Sequence, residues 1–200
     1  MPPRASGRSE GWGCRAMAGP GPVIETQRLL LRLPRLEDFE RYAELHADEV
    51  ATRYIGGQLA RGAAWRRFLQ MPGAWAIQGF AMFSVIEKAS GLWVGQLGPW
   101  RPDGWPGNEI GYALHPDAWG RGYAIEAAAC AIDWSFDNLG WDAIIHCIAP
   151  ENLASLTVAQ RLGSTLLREG KLIPPPSEDV HVQIWGQTRE QWREHRRAFA

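Results

Sequence analysis

Cysteine is scarce in this 200-residue chain: Cys14, Cys130 and Cys147 are an odd set, with no Cys-x-x-Cys pair and no histidine cluster beside them. That argues against a disulfide framework and against a zinc site, and it suits a reducing, cytoplasmic setting. Excess charge is missing as well. A formal net charge of -1 gives no overall pull toward nucleic acid or an acidic membrane. The locally basic run REQWREHRRAFA at 189–200 reads as a solvated helix face. No apolar stretch reaches transmembrane length, and the opening segment MPPRASGRSEGWGCRAMAGPGP has no apolar core of signal-peptide length. Gly, Pro, Ser and Arg dominate that segment, so residues 1–22 are expected to be a disordered leader. Met17 is an alternative start, because the patterned chain begins only near Val23. Residues 23–200 read as one domain.

What is present is an ordinary globular composition, 46% hydrophobic and 22% charged, enough for a real core. VIETQRLLLRLP (23–34) predicts a strand closed by Pro34. RLEDFERYAELHA (35–47) places Leu36, Phe39, Tyr42 and Leu45 at helical spacing. A second helix around GAAWRRFLQM is expected to end before Pro72 and Gly73. Residues 79–100 predict two strands joined by a turn at 89–91, RPDGWPGN (101–108) a loop, and EIGYALH (109–115) the next strand. A helix follows with Ile125, Ala128, Ala129, Ile132 and Phe136 on one stripe, apolar enough around the rest to be buried. WDAIIHCIA (141–149) predicts an interior strand, and NLASLTVAQRLG (152–163) a helix capped by Asn152 and ended by Gly163. Strands over 164–173 and 180–188 and a terminal helix complete the pattern. This is a mixed α/β chain without internal repeats, a meander first and a βαβ crossover in its middle.

The stretch that carries chemistry is HPDAWGRGYAIEAA (115–128). Glycine costs about 1 kcal/mol relative to alanine inside a helix, so Gly120 and Gly122 at a helix mouth need a reason. Free N–H groups and the positive dipole end make such a mouth suited to phosphate, and glycine lets the anion approach. WGRGYA therefore reads as a pyrophosphate cradle, with Arg121 adding a charge-assisted contact, or as a tight strand-to-helix turn without a ligand. Two nucleotide folds fit poorly. The GxGxxG fingerprint lacks its third glycine, Ile125 standing there, and Asp142 precedes its strand instead of ending it. No Gly-Lys-Ser/Thr follows, which removes a Walker A loop.

EIGYALHPDAWGRGYAIEAAACAIDWSF followed by NLASLTVAQRLG closely resembles the GNAT superfamily of acyl-CoA N-acyltransferases. Within it, the chain is most similar to the branch of the ribosomal-protein N-terminal acetylases (the Rim type). The match extends upstream through ETQRLLLRLPRLEDFERYAELHADEVATRYIGG, and so covers nearly everything after the leader. The family's signature, Gln or Arg, two residues, Gly, one residue, Gly or Ala, falls on Trp119, Gly120, Arg121, Gly122, Tyr123 and Ala124. Trp119 departs from the general signature, though this branch commonly has it.

The resemblance implies a GNAT fold: a central, mostly antiparallel mixed sheet with a splayed parallel pair in its middle and helices on both faces. It implies acetyl-CoA as co-substrate, without a metal. Signature backbone would bind the CoA pyrophosphate; Tyr112, Ala113 and Leu114 would pair with the pantetheine arm; Asn152 and Ser155 would touch that arm. Gly111 fits independently, since glycine within a strand often marks a bulge or a close backbone approach.

An amine attacking a thioester must lose a proton, and the developing oxyanion needs a donor. Direct attack is expected, with a backbone N–H of 111–114 as that donor. Cys130 and Cys147 fall in buried elements, where thiols are inert. Glu109 is the candidate base, acting directly or through water, if burial raises its pKa. The family's Tyr seven residues after the Asn is Ala159 here, so Tyr112, Ser155 or water stand as candidates for the acid. His146 reads as a hydrogen-bonded core residue or as one facing the cleft, and His115 and Asp117 as turn and cap residues. Trp93, Trp100 and Trp105 read as core packing or the lining of an acceptor pocket. The expected function is transfer of an acetyl or short acyl group to a protein N-terminus or a small amine. A catalytically weak acyl-CoA-binding module with a regulatory role is the alternative. Partners are acyl-CoA and the amine, with a homodimer plausible through exposed tryptophans.

Overall fold

The computed structural model of the chain describes residues 21–175 and 177–198. Residues 1–20, which carry most of the expected leader together with Cys14 and Met17, lie outside the described residues. The strand predicted over 23–34 is divided in two, β1 (Ile24–Glu25) and β2 (Leu29–Arg32), paired antiparallel. Thr26 makes the division: its N–H donates to the Leu29 carbonyl at 2.9 Å, and its hydroxyl accepts the Leu29 N–H at 2.8 Å.

α1 (Phe39–Ala47) buries Phe39, Tyr42 and Leu45 as its spacing predicts, but Leu36 sits in the 3-10 turn ahead of it and is 73% exposed. A short α2 (Glu49–Thr52) follows, its first turn capped by Asp48, which accepts the Ala51 N–H at 2.8 Å. After α3 (Arg61–Phe68) the chain turns directly into α4 (Gln70–Gln78). The helix predicted to stop before Pro72 thus gives way to a second one that contains it. Proline is tolerated there because it lies in the first turn, where its missing N–H would have no intrahelical acceptor. Gly79, with φ at 82°, ends α4.

The rest follows the predicted order: β3 (Phe83–Glu87), β4 (Trp93–Trp100), β5 (Glu109–Leu114), α5 (Tyr123–Asn138), β6 (Ala143–Ile148), α6 (Leu153–Arg161), β7 (Thr165–Lys171), β8 (His181–Thr188) and α7 (Arg189–Ala198). The eight strands form one sheet in the order β1-β2-β3-β4-β5-β6-β8-β7. Every neighbouring pair is antiparallel except β5–β6, which is parallel. This parallel pair meets at one register position, Glu109 opposite Ile145, with the Ile145 N–H donating to the Asn108 carbonyl at 2.9 Å. Beyond it the strands part. That is the expected mixed sheet with a splayed parallel pair in its middle.

Alternating side chains send one core to each face of the sheet. Leu29, Leu31, Val85, Leu97 and Ile110 pack with α5, whose Ala127, Ala128, Ala131 and Ile132 are fully buried. Leu30, Ile86, Trp93 and Ala113 face the α1 and α3 residues Tyr42, Leu45 and Phe68. Small alanines let α5 lie close to the sheet, so the mouth of this helix is fixed at the splay. Ile125, expected on the buried stripe, is only partly buried and lines a cavity instead. Among the described tryptophans, Trp65 and Trp119 are the exposed ones. No helix among the described residues is long and apolar enough to cross a membrane.

Candidate active site

β5 ends at Leu114, and the chain reaches α5 through a turn built by short-range bonds. His115 begins a 3-10 turn, its ring accepting the Asp117 N–H at 3.3 Å, so both residues act as the turn and cap residues expected. The Trp119 indole N–H donates to the Leu114 carbonyl at 2.8 Å, tying the loop back to the strand. Gly120 and Gly122 then take φ of 72° and 77°. A Cβ at Gly120 would meet nothing within 4 Å, and one at Gly122 only an Arg28 nitrogen at 3.6 Å. The glycines are therefore required by left-handed backbone and not by crowding within the protein. Gly122 is the N-cap residue of α5 and supplies no side-chain hydrogen bond. The first-turn N–H groups of this 16-residue helix are left without a side-chain cap, at its positive dipole end.

These residues border a cavity of about 500 Å³ between the end of β5, the mouth of α5 and the start of α6. Tyr112, Ala113, Leu114, Trp119, Gly120, Gly122, Tyr123, Ala124, Asn152 and Ser155 all line it. Asn152 caps α6 as predicted, its side-chain oxygen accepting the Ser155 N–H at 3.2 Å, and Gly163, with φ at 83°, follows the helix. The opposite wall carries Val50, Tyr54 and Ile55, from α2 and the turn after it. The sequence gives these three no periodic or motif signal.

Arg121 corrects one expectation. Its guanidinium is turned onto the Glu87 carboxylate and stacks 4.7 Å from the Tyr123 ring centre, instead of reaching into the cavity. Glu87 also accepts the Tyr123 hydroxyl, and hydrogen bonds from Ser90 and Tyr123 hold its carboxyl below the usual range. The cation beside the helix mouth that sequence reading overlooked is Arg28. It pairs with Glu126 at 2.7 Å, donates to the Arg121 carbonyl at 2.9 Å, and lies 4.7 Å from the Tyr123 ring.

The backbone of β5 alternates. The His115 N–H donates to the Val94 carbonyl, and the register of β4 against β5 then turns the groups of 109, 111 and 113 toward β4. Those of 110, 112 and 114 face β6. The Ile110 carbonyl is bonded to His146 Nδ1 at 2.8 Å, and the Leu114 carbonyl is held by Trp119. The Tyr112 N–H and carbonyl and the Leu114 N–H therefore point into the splay. Ala113 points its backbone at Gln96 and offers the cavity only its side chain.

Gly111 does not mark a bulge, since β4 and β5 stay in register through it. The irregularity lies on β4, where Val85 opposes Gly95 and Ile86 opposes Trp93, leaving Val94 out of register. Nor does another backbone come close: a Cβ at Gly111 would meet the Met82 methyl at 2.5 Å, the end of a flexible side chain.

Glu109 is buried at the base of the splay, outside the cavity lining. Its Oε1 accepts the Cys147 N–H at 3.1 Å and its Oε2 accepts the Trp105 indole N–H at 2.6 Å. Burial pushes its pKa up to about 7, against the lowering effect of those two bonds. Burial also pushes Tyr112 up to about 12; Ser155 opposes that shift and the Glu109 charge adds to it. The Tyr112 hydroxyl faces Ser155 without a hydrogen bond of normal geometry. His146 is a core residue, its pKa lowered by burial to about 4. Burial likewise raises the Cys130 and Cys147 thiols, which suppresses the reactive thiolate. Trp93 is core, its ring centre 6.0 Å from that of Tyr42, and Trp100 packs against the α5 core. Trp105 is the tryptophan that meets the candidate base.

Comparisons with known proteins agree with this geometry. The family model for the acetyltransferase (GNAT) domain matches residues 28–165. A Bacillus licheniformis protein named "Uncharacterized N-acetyltransferase p20" is 32% identical over 153 residues, covering 75% of this chain and 85% of the relative. The crystal structure of an acetyltransferase from Agrobacterium tumefaciens superposes with a TM-score of 0.74 at 28% identity, over 88% of this chain and 100% of that one. A Vibrio cholerae structure, provisionally designated a ribosomal-protein-serine acetyltransferase, shares the fold at 19% identity and a TM-score of 0.68, over 84% and 98% of the two chains. With the splayed pair, the helix mouth and the family match in agreement, the chain belongs to the GNAT acetyltransferase family and is an acetyl-CoA-dependent N-acetyltransferase.

Proposed function

We propose that this chain, with residues 23–200 acting as one catalytic domain in the cytoplasm, transfers an acetyl or similarly short acyl group from acyl-CoA to a primary amine. The observation that carries this reading is that one cavity joins an uncapped helix mouth to unpaired strand backbone. The diphosphate fits the N–H groups of 122–125, approached over Gly120 and Gly122. The pantetheine arm fits beside β5, where the Tyr112 N–H and carbonyl and the Leu114 N–H face the splay, with the Asn152 amide and Ser155 on the other side. Trp119, Tyr123 and Ala124 supply walls, and Arg121 contributes its backbone.

The amine nitrogen attacks the thioester carbonyl directly, the C–S bond breaks, and CoA leaves as the thiolate. The amine proton passes to Glu109 through water, since that carboxylate lies outside the cavity lining. A carboxylate with its pKa near 7 is matched to that task at neutral pH. Tyr112 stays protonated across the neutral range and donates to the leaving sulfur, with Ser155 as its neighbour. A strand N–H aimed at the developing oxyanion is worth about 3 kcal/mol.

The resemblance to the ribosomal-protein N-terminal acetylases favours a protein N-terminus as acceptor over a small amine. Free-thiol release from acetyl-CoA, measured against a panel of N-terminal peptides and small amines, tests both acceptors. One pair of observations favours a second reading, the acyl-CoA-binding module: Ala159, at the family's Tyr position, is buried, and both Glu109 oxygens already accept hydrogen bonds. Tight CoA binding without turnover on any amine selects that reading.

A further inference from the structure

Trp105 sits in the loop over 101–108, between β4 and β5, and this loop is braced on several sides. Its N–H donates to the Pro102 carbonyl at 3.1 Å, and Arg168 from β7 donates to the Pro106 carbonyl at 3.1 Å. Asn108 accepts from Arg101 at 3.1 Å and donates to the Ala143 carbonyl of β6 at 3.3 Å. Gly107 leaves room for Ile145, whose methyl would stand 3.1 Å from any Cβ there. The loop that carries the indole is thus held against β6 and β7, and the indole N–H meets Glu109 Oε2 at 2.6 Å. Cys147, on the far side of the carboxylate, bonds Oε1 from β6. Two neutral donors on separate elements therefore grip the two oxygens of one buried acid.

We propose that Trp105 is a positioning residue for Glu109: its indole N–H fixes the orientation of the Oε2 oxygen and favours the carboxylate over the carboxylic acid. Trp105 lies outside the cavity lining, so it acts through Glu109 and not on the coenzyme. The inference rests on the reading of Glu109 as the base, and extends it to the residue that makes that base usable.

A hydrogen bond to the charged form of an acid favours that form. The other groups that bear on Glu109 leave room for this effect. Tyr112 on β5 stays neutral, and the Cys147 thiol on β6 is pushed up by burial. His146 on β6 is kept neutral by burial. Arg168 on β7 bears on Cys147 but makes no ion pair with Glu109. With no ion pair to this carboxylate among the described residues, the Cys147 N–H, the Trp105 indole N–H and the Cys147 thiol supply the opposition to burial, and Trp105 is the donor that can be removed without touching β6.

Two measurements test this. In the intact wild-type protein, the Trp105 indole N–H resonance, assigned by its loss in Trp105→Phe, is followed from about pH 5 to about pH 9. It should shift with a midpoint near 7, and Glu109→Gln should abolish the shift. In Trp105→Phe, the acidic limb of the kcat profile should move up by ~1 pH unit, while KM for acetyl-CoA stays within about twofold. A flat indole resonance, or a Trp105→Phe profile that superposes on wild type, overturns the proposal. A titrating resonance combined with an unaltered Glu109→Gln rate profile supports the Trp105–Glu109 couple and removes Glu109 from proton transfer.

Discussion

The Glu109 carboxylate on β5 accepts the backbone N–H of Cys147 on β6 at 3.1 Å, spanning the strands just where their ladder stops. One side chain thereby closes the base of the splay and holds the candidate proton acceptor against it. Replacing Glu109 with Gln keeps the shape and supplies an oxygen for the same N–H. Its turnover should fall at least about tenfold, and the rise of rate with pH around 7 should flatten. Rate measurements from acid to alkaline pH decide it, and an unchanged profile removes Glu109 from the chemistry.

Gly122→Val should abolish CoA binding. The substitution forces a β-branched residue into left-handed backbone, at a cost of about 1–2 kcal/mol, and plants methyl groups at the helix mouth. Gly120→Ala meets open space and should show mainly the backbone cost. Calorimetric titration with CoA, paired with thermal melts, separates strain from lost affinity. Normal affinity in Gly122→Val would refute the cradle.

Arg121→Ala should leave CoA affinity within about threefold of wild type, because the guanidinium is engaged by the buried Glu87 carboxylate and does not line the cavity. A loss of tenfold or more would show that Arg121 leaves Glu87 for the phosphates.

Asn152→Ala removes the cap of α6 and should cost about 1 kcal/mol of stability, together with weaker CoA binding. Denaturant titration with and without CoA reads both effects, and unchanged binding would count against the arm contact.

Stability should fall on acidification below about pH 6.5. His46 and His146 are buried with their pKa values lowered to about 4, so the unfolded chain binds more protons between 6.5 and 4 and gains on the native state as pH drops through that window. Glu109 acts in the opposite sense: raised from 4.5 to about 7, its contribution is full below 4.5 and is lost as pH rises through 7. Two histidines outweigh one carboxyl. Urea midpoints should therefore drop between pH 6.5 and 4.5, and drop less in His146→Gln, provided that variant folds at neutral pH.

The local parts of this architecture were legible in the sequence. Two glycines around Arg121 forecast a tight turn from strand into helix mouth, Asn152 forecast a cap, and the alanine-rich stripe forecast a buried crossover helix. Each depends on residues a few positions apart. The misreadings arise where distant partners decide. Arg121 looks free for an anion until β3 brings Glu87 beside it, and Trp105 looks like packing until β5 carries Glu109 beneath its N–H. Pro72 reads as a helix stop because proline breaks interiors, but only the turn at Leu69 shows that it falls in a first turn. Periodicity reports which residues are buried, and not what they meet.

The one-position contact between β5 and β6 has a mechanical consequence. The sheet is a five-strand panel and a three-strand panel stitched by a single rung, with Glu109 and His146 as side-chain rivets and α5 packed mainly behind β4 and β5. Load applied across the strands should open this seam before any other, since every other joint has at least two paired positions. The weakest line of the sheet and the slot proposed for the coenzyme arm are then the same opening, and anything that fills the slot also splints the panels.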